Sequence, residues 1–148
     1  MPAPITETFA QMTLETSSDG TTWTKICGLV GVTVNRTAQI DEDEVPQDCD
    51  DETLPMDVKR EVRSISVSAS AEGFWAQQSH EMMLDWFYGG GSRRVRLGNQ
   101  NAAVGDTQYE TGFAFLSNLS NTRTKGRRVT ASVELTFDGT PTRTAKAA

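Results

Sequence analysis

Histidine occurs once and cysteine twice in these 148 residues, and no apolar run approaches the roughly 18–20 residues that cross a bilayer. So little cysteine excludes a disulfide scaffold; Cys27 and Cys49 are compatible with a reducing compartment as free thiols, and their spacing leaves a single disulfide open. Zinc takes about four Cys or His ligands at short spacings, which this chain does not offer. The missing apolar run argues against membrane insertion. Residues 1–7 lack the basic start and apolar stretch of a secretion signal, so no exported precursor is expected. The lone His80 sits beside Ser79 on a run with helical spacing, where neighbours diverge and no Ser-His-Asp triad assembles. Gly89-Gly90-Gly91-Ser92 lacks the Gly-Lys-Ser/Thr of a phosphate loop. Nothing marks two carboxylates as a buried glycosidase pair. No enzyme and no cofactor are expected.

Charge is present, but unevenly. Eight carboxylates (Asp41, Glu42, Asp43, Glu44, Asp48, Asp50, Asp51 and Glu52) fall between positions 41 and 52 with no Lys or Arg among them. Without them the chain holds 12 acids against 14 bases, and residues 92–148 carry nine bases against four acids. A block of like charge repels itself, so 41–57 is expected to be a solvated loop, or to meet positive charge elsewhere. Asp41-x-Asp43 opens like a calcium loop, but Val45 and Pro46 stand where a third ligand and the turn glycine belong. The Asp48-x-Asp50-x-Glu52 series keeps weak divalent-cation binding open.

Periodicity supplies the rest. Residues 8–16 alternate with Ala10, Met12 and Leu14 on one side, and Asp19-Gly20 turns the chain into the β-prone run 21–26, which predicts a hairpin. The stretch 17–23 resembles the Asp-box hairpin of sialidases, one residue short and unrepeated. Residues 29–37 alternate with Val30, Val32 and Val34 together. Positions 58–71 place Ile65, Val67 and Ala69 opposite Ser64, Ser66, Ser68 and Ser70. Residues 75–88 change to a helical stripe of Trp75, Met82, Met83 and Trp86, stopped by the three glycines. Strands follow at 93–97, at 109–115 with Tyr109, Thr111, Phe113 and Phe115 aligned, and at 129–137. In the last of these, Val129, Ala131, Val133, Leu135 and Phe137 alternate with Thr130, Ser132, Glu134 and Thr136. The expectation is a mainly β chain: an antiparallel β-sandwich or barrel with one flanking α-helix. An extension at 1–7, a single domain over 8–139 and a flexible tail at 140–148 complete it.

This order of elements resembles the major tail tube proteins of long-tailed bacteriophages and gene transfer agents. The stretches that carry the likeness are 21–26, 58–71, the helix end 84–89 and 112–119. The resemblance implies a virion protein, assembled in host bacterial cytoplasm, that forms hexameric rings. The rings stack head to tail into a conduit for DNA ejection, with tape-measure and tail-end proteins as partners. It also implies that sheet residues face a lumen. Ser64, Ser66, Ser68, Ser70, Thr130, Ser132, Glu134 and Thr136 suit that role, because a surface without bases does not retain phosphates and DNA passes unbound. Head-to-tail stacking needs two complementary surfaces on one subunit. The acids of 41–52 would meet bases at 93–96 and 123–128, chiefly Arg93, Arg94, Arg123, Lys125, Arg127 and Arg128. Two other readings stay open: a tube-like ring protein of type VI secretion, and a small carbohydrate-binding β-sandwich resting on the Trp23 hairpin.

Overall fold

Turn chemistry starts the chain. In the computed structural model, which describes residues 2–148, strand β1 (Met12–Ser17) follows a short 3-10 turn, Phe9–Gln11. Its reversal uses Gly20 at φ 84°, while the Asp19 carboxylate accepts the N–H groups of Thr21 and Thr22 at 2.9 Å each. Those bonds, with one from the Ser17 hydroxyl, hold the Asp19 carboxyl well below the usual carboxylate range. Strand β2 (Thr24–Lys25) then pairs with β1, as the Asp-Gly signal predicts.

Six further strands follow: β3 (Leu29–Val45), β4 (Asp57–Phe74), β5 (Arg93–Asn99), β6 (Thr107–Thr122), β7 (Thr130–Phe137) and β8 (Thr142–Ala145). All eight join one antiparallel sheet in the order β2-β1-β5-β6-β7-β4-β3, with β8 also on β6. β7 pairs with positions 114–122 of β6, and β8 takes the stretch nearer its start, from Thr107 to Thr111. The tail beyond residue 139, expected to be loose, therefore adds a strand, because β6 begins before β7 can cover it.

The core lies on one face of this sheet. Ala131, Val133, Leu135 and Phe137 of β7 pack with Val67, Ala69 and Ala71 of β4, Ala114 and Leu116 of β6, and Val95 and Leu97 of β5. Helix α1 (Gln77–Gly89) adds Met83 and Trp86 to that core, with Trp75 and Met82 against its rim. Gly90 ends the helix in the left-handed region, at φ 69°. Arg36 on β3 reaches Glu110 on β6, with Nε 3.1 Å from Oε1, although two other strands separate them in the sheet. The sheet therefore curls over its own apolar face. The mainly β fold with one helix stands as expected.

Three alternations run differently from expectation. On β1 only Leu14 of the expected row is buried: 9–11 is a 3-10 turn, Met12 is exposed, and Thr13, Glu15 and Ser17 are buried instead. On β6 the buried row is Ala114 and Leu116, whereas Phe113 and Phe115 are 45% and 41% exposed. The aromatic row thus lies on the outer face, and small Ala114 fills the core beside bulky Phe137, its cross-strand partner. On β3 the register shifts between Leu29 and Gly31, which turns Val30 outward and leaves Val32 and Val34 against the core.

Candidate functional site

β3 and β4 leave the body together. β4 pairs with β7 only from Ser68 onward, so 37–45 and 57–66 form a two-stranded ribbon roughly 30 Å long at about 3.3 Å per residue. The acidic segment is therefore not a loop throughout. Asp41, Glu42, Asp43 and Glu44 belong to β3, and only 46–56 is irregular. The physical reason is pairing that the local sequence hides. The register sets Glu42 opposite Arg60 and Asp43 opposite Lys59; Arg60 Nε is 2.8 Å from Glu42 Oε1, and Arg63 Nε is 3.7 Å from Asp41 Oδ1. All these side chains are exposed, so each pair contributes roughly 1 kcal/mol at most.

The tip keeps its charge. Asp48, Asp50, Asp51 and Glu52 have no Lys or Arg within 4 Å among the described residues. Asp48 and Asp51 instead accept the N–H groups of Asp50 and Thr53 at 2.9 and 3.0 Å, which shapes the tip. Hydrogen bonds from the Thr53 hydroxyl and N–H hold the Asp51 carboxyl below its ordinary value. Among the described residues no three His, Cys, Asp or Glu side chains gather closely enough to hold a metal ion.

The eight residues singled out for a polar surface share one side, opposite the core. Ser68 pairs with Thr136, Ser70 with Glu134, Glu72 with Ser132, and Phe74 with Thr130. β3 and β6 extend these rows with Thr33, Asn35, Asn118 and Ser120. Lys and Arg are absent from these rows, which hold two acids, Glu72 and Glu134. Ser64 and Ser66 continue the same side onto the ribbon. Sequence reasoning missed that Phe74 and Phe115 also stand on this face, both exposed. The cross-strand register shows it; alternation along one strand does not.

The bases divide into two places rather than one surface. Arg123, Lys125, Arg127 and Arg128 lie in the exposed turn between β6 and β7, built on Gly126 at φ 84°. Arg93 and Arg94 open β5, with Arg93 opposite Ala114 of β6. Eight residues of strand, roughly 26 Å, separate Ala114 from Thr122 beside the basic turn. Arg96 is not available to a partner. It bonds both oxygens of Glu15 at 3.3 Å and lies over the rings of Trp23 and Tyr109, 4.7 and 4.1 Å from their centroids.

Comparison with known proteins gives these surfaces a context. A family model described as phage tail tube protein matches residues 8–143. The fold is similar to the tail of an empty gene transfer agent particle determined with C6 helical symmetry, at 13% identity and a TM-score of 0.75, covering 95% of this chain and 100% of that one. It is similar to a chain of the native gene transfer agent virion at 13% identity and a TM-score of 0.68, with the same coverages. A third likeness is to the SPP1 tail tube, at 12% identity and a TM-score of 0.64, covering 93% of this chain and 78% of that one. At such identities these likenesses show the fold alone. No curated protein sequence matches the chain. The family match runs over nearly the whole sequence, so this chain belongs to the phage tail tube protein family, a structural rather than an enzymatic component of the virion.

Proposed function

We propose that this protein forms hexameric rings that stack head to tail into a tube, and that DNA passes through the tube during ejection without sequence-specific binding. The observation that carries this reading is the arm: a ribbon of about 30 Å that ends in four carboxylates with no base beside them among the described residues. Such a ribbon finds its counter-charge on another copy, and the same chain supplies bases at two sites. The C6 symmetry of the gene transfer agent tail supports six copies per ring. The base-free face of β4 and β7 suits the lumen, because it offers phosphates nothing to bind. Assembly in host cytoplasm, a tape-measure protein inside the growing tube and capping proteins at its ends complete the reading.

The test is charge reversal in assembling particles. Changing Asp48, Asp50, Asp51 and Glu52 together to Lys should abolish tube growth and leave the subunit folded, since the tip lies outside the core. A second reversal to Glu, at 93–94 or at the 123–128 turn, should restore growth where the arm docks. Normal tails on the four-Lys variant would overturn the stacking role of the arm.

A further inference from the structure

The two ends of the sheet differ in chemistry. At one end Phe74 of β4 pairs with Thr130 of β7, and Thr130 pairs with Thr122 of β6. At the other, Arg93 pairs with Ala114 of β6, and Ala114 with Phe137 of β7. Ser68 pairs with Thr136, next to Phe137, so the arm leaves the body at the Arg93 end. The 123–128 turn joins β6 to β7 at the Phe74 end, roughly 20 Å of strand farther along. There Val30 and Phe74, 58% and 49% exposed, line a cleft of about 360 Å³ with Thr122 and Thr130. Arg123, Lys125, Arg127 and Arg128 stand exposed in the adjoining turn, and none has an acid within 4 Å among the described residues. The acid in the cleft wall, Glu72, lies on β4 two residues before Phe74, away from the turn.

The arm tip is the chemical counterpart of that end. Leu54 and Met56 are exposed there, beside the four carboxylates of 48–52 that lack a base. Both surfaces thus combine exposed apolar side chains with charge, and the charges have opposite sign. One subunit cannot bring them together, because its arm leads away from the Phe74 end. In a head-to-tail stack every copy points the same way, so the arm of one meets the opposite end of the next. That end carries the 123–128 turn, whereas Arg93 and Arg94 lie at the arm's own end. We propose that the arm tip of one copy seats on the Phe74 end of a second copy in the adjoining ring. Leu54 and Met56 cover Val30 and Phe74, and the acids of 48–52 face the bases of 123–128. The inference rests on the stacked-ring reading and names the surface that receives the arm. Exposed ion pairs add little each, so the apolar cover supplies adhesion and the charges set orientation.

Cys49 lies in the tip and reports the contact in the full-length chain. In a Cys27→Ser background, tubes carrying Thr124→Cys should give a ladder of disulfide-linked chains on mild oxidation. Tubes carrying Ser92→Cys, at the arm's own end, should not. Phe74→Ser and Leu54→Ser should each lower the yield of that ladder roughly tenfold, and the double variant no further, since both remove one contact. Both side chains are exposed, so the thermal midpoint of the subunit should stay within a few degrees. In the four-Lys variant, changing Arg123, Lys125, Arg127 and Arg128 to Glu should restore growth, whereas changing Arg93 and Arg94 to Glu should not. Tubes without a ladder through Thr124→Cys, tubes with one through Ser92→Cys, or rescue from positions 93–94 overturn this assignment and leave the ring reading intact. Absence of tubes from the wild-type chain overturns the ring reading itself, and this assignment with it.

Discussion

At the end of the β3–β4 pair that lies within the sheet body, away from the arm, two glycines cross at contact distance, and Gly73→Ala tests whether that crossing holds the fold. A Cβ at Gly73 would overlap the Gly28 carbonyl oxygen and lie 2.8 Å from both Leu29 Cα and Val30 N. All three are backbone atoms, so no side chain can rotate away. Gly28 cannot yield easily either. It sits at φ 94°, and its carbonyl accepts the Phe74 N–H at 2.9 Å. Overpacking of this kind costs about 1–3 kcal/mol, and a weakened hydrogen bond adds about 0.5–1.5 kcal/mol, so about 2–4 kcal/mol is expected. For a chain of this size each kcal/mol moves the midpoint by about 2–4 °C, which predicts a fall of roughly 5–15 °C in Tm. Circular dichroism on the purified chain reads it directly. Gly31→Ala is the control two residues into β3, where a Cβ would meet only the flexible Glu72 side chain, at 3.3 Å. A Gly73→Ala midpoint within 2 °C of wild type would refute the reasoning, since it would mean that the chain can separate at the Gly28–Gly73 crossing without cost.

Ser70→Arg with Ser132→Arg places two bases per subunit on rows of β4 and β7 that have none; DNA ejection should slow, most at low salt, while the double Gln variant ejects normally. Unchanged ejection kinetics in particles with normal tails would show that this face does not line the DNA path. Because Asp19 has its folded-state pKa lowered from 3.8, its contribution to stability is present above about pH 4 and is lost as pH falls further. The stability gap between wild type and Asp19→Ala should therefore narrow steadily on going from pH 5 to pH 2, and a gap independent of pH would contradict the turn's hydrogen bonds. Cys27 and Cys49 flank the 17 residues of β3, roughly 55 Å of strand, so both should alkylate fully without reductant. Recovery of a disulfide within one subunit would mean that the arm folds back.

Strongly patterned segments were legible in the sequence. β7 alternates because one of its faces is wholly core, and the helix stop at Gly90 needs only a residue that tolerates positive φ. The Asp19-Gly20 turn is equally local. Of the arm, the strand from 58 onward was legible but its partner over 38–45 was not, because both faces of that stretch meet water and so carry no apolar period. What holds its acids in strand conformation is the backbone ladder to β4, which also sets Arg60 and Arg63 beside Glu42 and Asp41, a pairing that no window of a dozen residues contains. β8 escaped notice for a similar reason: its four residues are all exposed, and β6 supplies the ladder that makes them a strand. Among site residues, the eight polar-face positions were found together because the period of two is reliable within a strand. Phe115 joined them only through register across β7.

Helical reconstruction of the tails at side-chain resolution tests the central claim most directly. The account predicts stacked six-fold rings built from this chain, with the Ser68, Ser70, Ser132 and Thr136 side chains pointing to the axis and residues 46–56 seated on the adjoining ring. A tube whose density is built from a different chain, or one in which that face points outward and the arm lies free in solvent, would contradict it.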